Sequence, residues 1–207
     1  MTYYSQYKQD QYIYENLSKN ESKGFFVDIG AYDGITQGSN SLFFEQLGWE
    51  GICIEPNPAR FSLLRQNRKC TCLNYAIADT VGEASFLQII DEIDTLSGLV
   101  DTFSDAYKQE LERVMQTNNY RHEYVTVKTE RFDNLVSNTK TIDYLSIDTE
   151  GNELSILQTI DFEKYNIRVM TIENNKHDNR FVEFFSDKLY DLVARLGCDE
   201  VYAKRLI

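Results

Sequence analysis

The sequence predicts an α/β fold, an open and mostly parallel sheet with helices on both faces. Two observations carry this. Short apolar runs alternate with segments of helical spacing in strand–helix–strand–helix–strand order, the pattern of a parallel sheet covered on both faces. The first run also ends in a glycine turn, at the carboxyl end of a strand, where open α/β sheets bind their ligands. A chain of 207 residues fits one domain, so residues 1–207 are read as a single unit.

The elements follow in order. GFFVDIG (24–30) is a short buried strand ending in the glycine turn. QGSNSLFFEQL (37–47) has apolar positions at helical spacing, with Ser39 or Asn40 as N-cap. GICIEP (51–56) is the second strand, ended by Pro56, and 58–67 is the helix after it. CTCLNY (70–75) is the third strand. ASFLQII (84–90) and the alternating EYVTVKT (123–129) are further strands, with a helical stretch at 104–116 between them. Residues 89–122 break the alternation and read as an insertion between the third and fourth core strands, over the ligand face. RFDNLV (131–136) is a short helix, IDYLSID (142–148) the fourth core strand, 153–160 its helix, and NIRVMTIEN (166–174) the fifth strand. Residues 180–196 predict an amphipathic helix, with Phe181, Phe184, Phe185, Leu189, Leu192, Val193 and Leu196 on one side. CDEVYAKRL (198–206) is the last strand.

Composition narrows the partners. Lys and Arg number 21 against 33 Asp and Glu, a net charge of −12, so neither nucleic acid nor an anionic membrane surface is an expected partner. No apolar run approaches the ~18–20 residues of a membrane span, and MTYYSQYKQD has no charged segment leading into an apolar one, so no secretory signal is expected. The four cysteines form no CxxC, and two histidines cannot complete the usual zinc sets. Reduced thiols and a cytoplasmic location are expected.

The first glycine turn reads Asp28-Ile-Gly30-Ala-Tyr32-Asp-Gly34. It lacks the G-x-G-x-x-G of dinucleotide sites and the G-K-[ST] of a P-loop. An acidic residue opening such a loop suits a cation better than a phosphate, and the amino group of S-adenosylmethionine is such a cation. Glu55 ends the second strand, where a carboxylate accepts both ribose hydroxyls of an adenosine. Asp79, after the third strand, is positioned for an adenine amino group. Beyond the fourth strand come Asp148, Glu150 and Glu153, and the fifth ends in Glu173-Asn174. Carboxylates this close need a cation, a proton or hydrogen-bond donors between them. Glu153 also suits a helix N-terminus. Asp148, Glu173 and Asn174 form an all-oxygen set suited to Mg²⁺ or another hard divalent ion. The competing reading is a metal-free general base among Asp148, Glu150, Glu173 and His177. His122 reads as a surface residue.

These motifs together resemble the FkbM family of S-adenosylmethionine-dependent methyltransferases. The likeness runs from about Tyr4 to Tyr202 through SQYKQD, FFVDIGAYDG, SNSLFFEQLGWEGICIEPNP, AIAD, IDYLSIDTEGNELSIL and IEN. It implies a methyltransferase Rossmann-like fold and O-methyl transfer to hydroxyls of sugars, glycans and related small molecules. It also implies that Ser5, Gln6, Gln9 and Asp10 lie near the cofactor. The expected cofactor contacts are therefore Gln6, Gln9, Asp28, Gly30, Tyr32, Gly34, Glu55, Asp79 and Asp148.

One departure stands out. Such sheets end in an antiparallel seventh strand, and here the chain stops just after the sixth as read above. Either that strand is absent, or 84–90 or 123–129 takes its edge, or the chain is shortened. A free edge would pair with a second copy, so a homo-oligomer is an expected partner. Tyr107 and Tyr120 in the insertion are candidates for an acceptor lid. Other readings stay open: a methyltransferase acting on protein, lipid or nucleic acid, a non-catalytic protein keeping the fold, and an NAD-dependent dehydrogenase.

Overall fold

A computed structural model describes residues 1–19, 21–36 and 38–205. The chain opens with α1 (Gln9–Asn16), β1 (Phe25–Ile29), α2 (Leu42–Gln46), β2 (Glu50–Ile54), α3 (Pro58–Asn67) and β3 (Thr71–Leu73). It continues through β4 (Ala76–Ile77), β5 (Gly82–Ile89), β6 (Gly98–Leu99), α4 (Asp105–Asn118) and β7 (His122–Glu130). It closes with α5 (Phe132–Leu135), β8 (Ile142–Ile147), α6 (Glu153–Thr159), β9 (Ile167–Glu173), α7 (Arg180–Phe184), β10 (Tyr190–Leu196) and β11 (Asp199–Lys204).

The main sheet has seven strands in the order β10-β11-β9-β8-β1-β2-β3. Six of them run in one direction, and β11 alone runs antiparallel, between β9 and β10. Strand order reverses at β1 and β8, so the crevice beyond their carboxyl ends is the place for a ligand. Adjacent residues on the central strands serve opposite layers, because the pleat sends successive side chains to opposite faces. Phe26, Tyr144, Val169 and Val201 pack with Ile13, Phe43, Phe44 and Leu64 under α1 to α3. Val27, Leu145, Met170 and Tyr202 pack with Phe132, Ile156, Leu157 and Phe181 under α5 to α7. Each such large side chain contributes roughly 1.5–3 kcal/mol by leaving water. Local signals agree with the packing: Asn57 caps α3 through bonds from the Ala59 and Arg60 N–H groups, ahead of Pro58 in the first turn.

Three expectations need correction. Residues 180–196 are not one helix: α7 ends at Phe184, and Tyr190–Leu196 is a strand. Burial there alternates, with Tyr190, Leu192, Ala194 and Leu196 turned inward relative to exposed Asp191, Val193 and Arg195. The exposed apolar Leu189 and Val193 imitate a helical stripe. The seventh strand is therefore present. Gly197, at φ 62°, turns β10 into β11, and this hairpin occupies the edge. Residues 84–90 and 123–129 do not take that edge; β5 and β7 belong to a second sheet of order β4-β7-β5-β6. Finally, α2 is shorter than read, and Ser41, not Ser39 or Asn40, precedes its first residue. Ser39 still helps, its Oγ accepting from the Leu42 N–H at 3.2 Å. Gln37 of that expected helix and Leu206 of the last expected strand lie outside the described residues.

Candidate active site

The loops after β1 and β8 are nested. Gly30 has φ 86°, and a Cβ on it would lie 1.7 Å from the Asp148 carbonyl oxygen, so the position admits only glycine. The Asp148 N–H donates to Ile29 O at 3.0 Å, and the Gly30 N–H donates to Ile54 O at 2.9 Å. These bonds align the ends of β1, β2 and β8 around one cavity of about 320 Å³.

Glu55 stands at one end. Its carboxylate accepts the Tyr32 N–H at 2.9 Å and the Asn57 N–H at 2.7 Å. Burial pushes this carboxyl up to about 7, against the lowering effect of those two N–H bonds. Each oxygen keeps acceptor capacity for a ligand hydroxyl. Tyr32 is held at φ 51°, an uncommon conformation for a bulky residue. Its hydroxyl donates to Asp94 at 2.8 Å, the Arg60 guanidinium stacks 4.5 Å from its ring, and Arg60 also pairs with Asp94. Asp28 forms the floor. It is buried, Ser41 Oγ donates to it at 2.5 Å, and burial raises its pKa while Ser41 and Arg68 oppose that.

Carboxylates crowd the other end. One oxygen each from Asp148, Glu150 and Glu173 lies within 4.8 Å of the others. Burial raises Glu150 to about 8, with Asp148 and Glu153 adding to it. Burial raises Glu173 to about 9, with Glu150 and Glu153 adding to it. Asp148 moves well upward for the same reasons. Three such oxygens suit a shared proton or a hard cation. Glu153 is committed elsewhere: its Oε1 accepts from the Thr149 and Gly151 N–H groups, holding the turn into α6.

Of the residues expected at the cofactor, Gln6, Asp28, Gly30, Tyr32, Glu55 and Asp148 line the cavity. Gly34 does not; at φ 80° it packs against Arg68 and Leu64 as a turn residue. Gln9 is buried and donates to Asp199 at 2.5 Å. Asp10 accepts from the Tyr4 N–H at 2.6 Å, and Ser5 also donates to it through its N–H. These three brace the N-terminal segment, whose Gln6 backs onto Gly38 and whose Tyr7 ring covers Gly197. Asp79 is exposed and outside the cavity, its carbonyl accepting from Arg131.

Among the catalytic and metal candidates, Glu150 and Glu173 line the cavity, whereas His177 is exposed outside it. Asn174 does not line the cavity; its amide donates to Asp178 O at 2.9 Å, and Glu150 stands with Asp148 and Glu173. His122 is exposed on β7. Tyr107 and Tyr120 pack in the small core around α4 and do not line the cavity. The insertion instead reaches it through Asp94–Ser97 and Leu99. Sequence reasoning missed Arg60, Asp94 and Asn40 as wall residues. Only the position of Asn40 just after the glycine turn hinted at it.

Among proteins of curated function, none matches the chain significantly. Among solved structures, the methyltransferase FkbM from Methylobacillus flagellatus KT is similar, at 13% identity and TM-score 0.55 over 97% of this chain. The chain spans 48% of the length of that protein. A fibrillarin/Nop5p complex (11% identity, 90% of this chain, 74% of that one, TM-score 0.43) is a more distant match. So is a human methyltransferase 10 domain containing protein (11% identity, 96% of this chain, 79% of that one, TM-score 0.42). The family described as the methyltransferase FkbM domain matches residues 28–198. That span runs from the floor residue Asp28 to the hairpin beside Glu173, and the chain belongs to the FkbM methyltransferase family.

Proposed function

We propose that the protein is an S-adenosylmethionine-dependent O-methyltransferase acting on a hydroxyl of a sugar, glycan or related small molecule. The observation that carries this reading is one cavity lined by Glu55 and Gly30 together with Asp148, Glu150 and Glu173. The donor set fits the cofactor: Glu55 can accept ribose hydroxyls, and Gly30 lines the same cavity. Bound there, S-adenosylmethionine would supply a methyl group on a positively charged sulfur.

The protein's own part is to position and to move a proton. Holding the acceptor oxygen in line with the methyl–sulfur bond supplies most of the acceleration. A carboxylate of the acid set, with Asp148 nearest the nested loops, would take the proton that the acceptor hydroxyl gives up on methylation. Raised carboxyl pKa values suit that task, because a base works best near the operating pH. General-base help is worth about 10²–10⁴ in rate.

The lining supports a neutral acceptor. Among the described residues its one basic side chain is Arg60, already paired with Asp94. A second reading, in which the acid set holds Mg²⁺, is favoured by the oxygen spacing. Among the described residues no helix is long and apolar enough to cross a membrane. The four cysteines are free, as expected of a reducing setting.

The test is a melt with S-adenosylhomocysteine, with NAD as control, in Mg²⁺ and in EDTA. It is followed by methyl transfer from labelled cofactor to a panel of sugars and glycans. Stabilisation by S-adenosylhomocysteine alone supports the cofactor. A further rise needing Mg²⁺ supports the metal reading. Turnover by Asp148→Asn equal to wild type would remove Asp148 from its role.

A further inference from the structure

Asn40 is 6% exposed and lines the cavity between the ends of β1 and β8. Its Nδ2 donates to Ser146 Oγ at 3.1 Å. Ser146 and Asp28 are register partners on β8 and β1, and the Ser146 hydroxyl stabilises the Asp28 carboxylate. A hydroxyl has one proton to give. Ser146 stands beside Asp28 across the β1–β8 register, and Asn40 donates to it through Nδ2. Asn40 Oδ1 is then left buried with no partner in the protein. An unmet buried acceptor in a cavity wall calls for an explanation.

The missing partner must be a donor, and the cavity that Asn40 lines is also lined by the acidic Asp28 and Asp148. Three groups of the proposed cofactor can donate: the adenine amine, the ribose hydroxyls and the α-ammonium. Glu55 at the end of β2 meets the hydroxyls. Only the ammonium is cationic, which suits a cavity lined by Asp28, Asp148, Glu150 and Glu173.

We propose that Asn40 Oδ1 accepts a hydrogen bond from the α-ammonium at the amino-acid end of the cofactor, a specificity contact held in place by the Asn40–Ser146–Asp28 chain. The inference rests on the S-adenosylmethionine reading and adds to it the residue that recognises one end of the molecule.

Calorimetric titration tests it with S-adenosylhomocysteine, its deaminated analogue, and 5′-methylthioadenosine, which lacks the amino-acid end. In Asn40→Leu the affinity for S-adenosylhomocysteine should fall on the order of 10-fold or more, the range for a hydrogen bond to a charged group. Affinity for methylthioadenosine should be unchanged, and deamination should cost the variant little further. A residue that merely supports the fold would weaken both ligands together, and that result overturns the inference, as does wild-type affinity in the variant. Should Asn40→Leu not fold, Asn40→Asp carries the test. It keeps the acceptor and adds charge, so preference for S-adenosylhomocysteine over its deaminated analogue should grow, and an unchanged preference overturns the inference. Wild-type protein that binds methylthioadenosine and gains nothing from the amino-acid end overturns the role of Asn40 alone. Wild-type protein that binds none of the three overturns the cofactor reading as well.

Discussion

Gly30 and Asp148 touch through backbone: a side-chain carbon at position 30 would sit 1.7 Å from the Asp148 carbonyl oxygen. The contact ties the glycine turn after β1 to the acid set after β8. No rotamer change relieves such a clash, and φ 86° adds strain to any other residue. Gly30→Ala should therefore cost roughly 3 kcal/mol or more of stability, the level of a severe backbone conflict. A urea melt measures it. A variant as stable as wild type would mean that the two loops separate freely.

Glu55 serves the backbone and the ligand with one carboxylate. It already accepts two N–H groups, and ribose hydroxyls would use the remaining lone pairs. Glu55→Gln replaces one acceptor oxygen by a donor, so S-adenosylhomocysteine should bind about 10–100-fold more weakly. With the carboxyl raised to about 7 by burial, the ionised form, the better acceptor, gains population from pH 6 to pH 8. Wild-type affinity should rise over that interval and the variant should lose that slope. Titrations at both pH values decide it, and parallel slopes would assign the titration to another group.

Much of this was legible in the sequence because the buried parallel strands carry continuous apolar runs. IDYLSID and GFFVDIG could be read as central strands, and their ends named Asp28, Gly30 and Asp148. The β10 strand was not legible: as an edge strand it has apolar residues on both faces, and Leu192 and Val193 side by side fit a helical stripe as well as an alternation. Asn174 was misassigned for a different reason. Residues adjacent in sequence at a strand end face opposite ways, so Glu173 joins the acid set while Asn174 turns to Asp178. Asp94 and Arg60 are 34 residues apart, on a loop and a helix, and no local pattern announces a pair made only by tertiary packing.

That pair fastens the insertion to the cavity. Asp94 receives the Tyr32 hydroxyl and the Arg60 guanidinium, and its side chain is 6% exposed. Asp94→Asn keeps the shape and removes the charge. Residues 94–99 should then loosen over the cavity while the two sheets stay folded. Limited proteolysis should cut between 90 and 104 several-fold faster, and S-adenosylhomocysteine should slow that cutting less than in wild type. An unchanged cutting rate would show that apolar contacts at Leu96 and Leu99 hold the segment without the ion pair.

The acid set should set stability and turnover against each other along the pH axis. Burial lifts Glu173 to about 9 and Glu150 to about 8, with neighbouring carboxylates adding to both. Unfolded, each titrates near ~4.3, so the folded state binds these protons more tightly. The resulting stabilisation is full below the unfolded pKa and is lost as pH rises through 8 to 9. In EDTA, with no divalent ion to offset the charge, Tm should fall from pH 6 to pH 9 by on the order of 5 °C. Glu173→Gln, which cannot ionise, should flatten that fall. A base must be ionised to take the hydroxyl proton, so methyl transfer at saturating cofactor should climb over the same interval in which the melt declines. If Glu173→Gln kept the full wild-type fall in Tm, Glu173 would not be the group whose ionisation the fold resists.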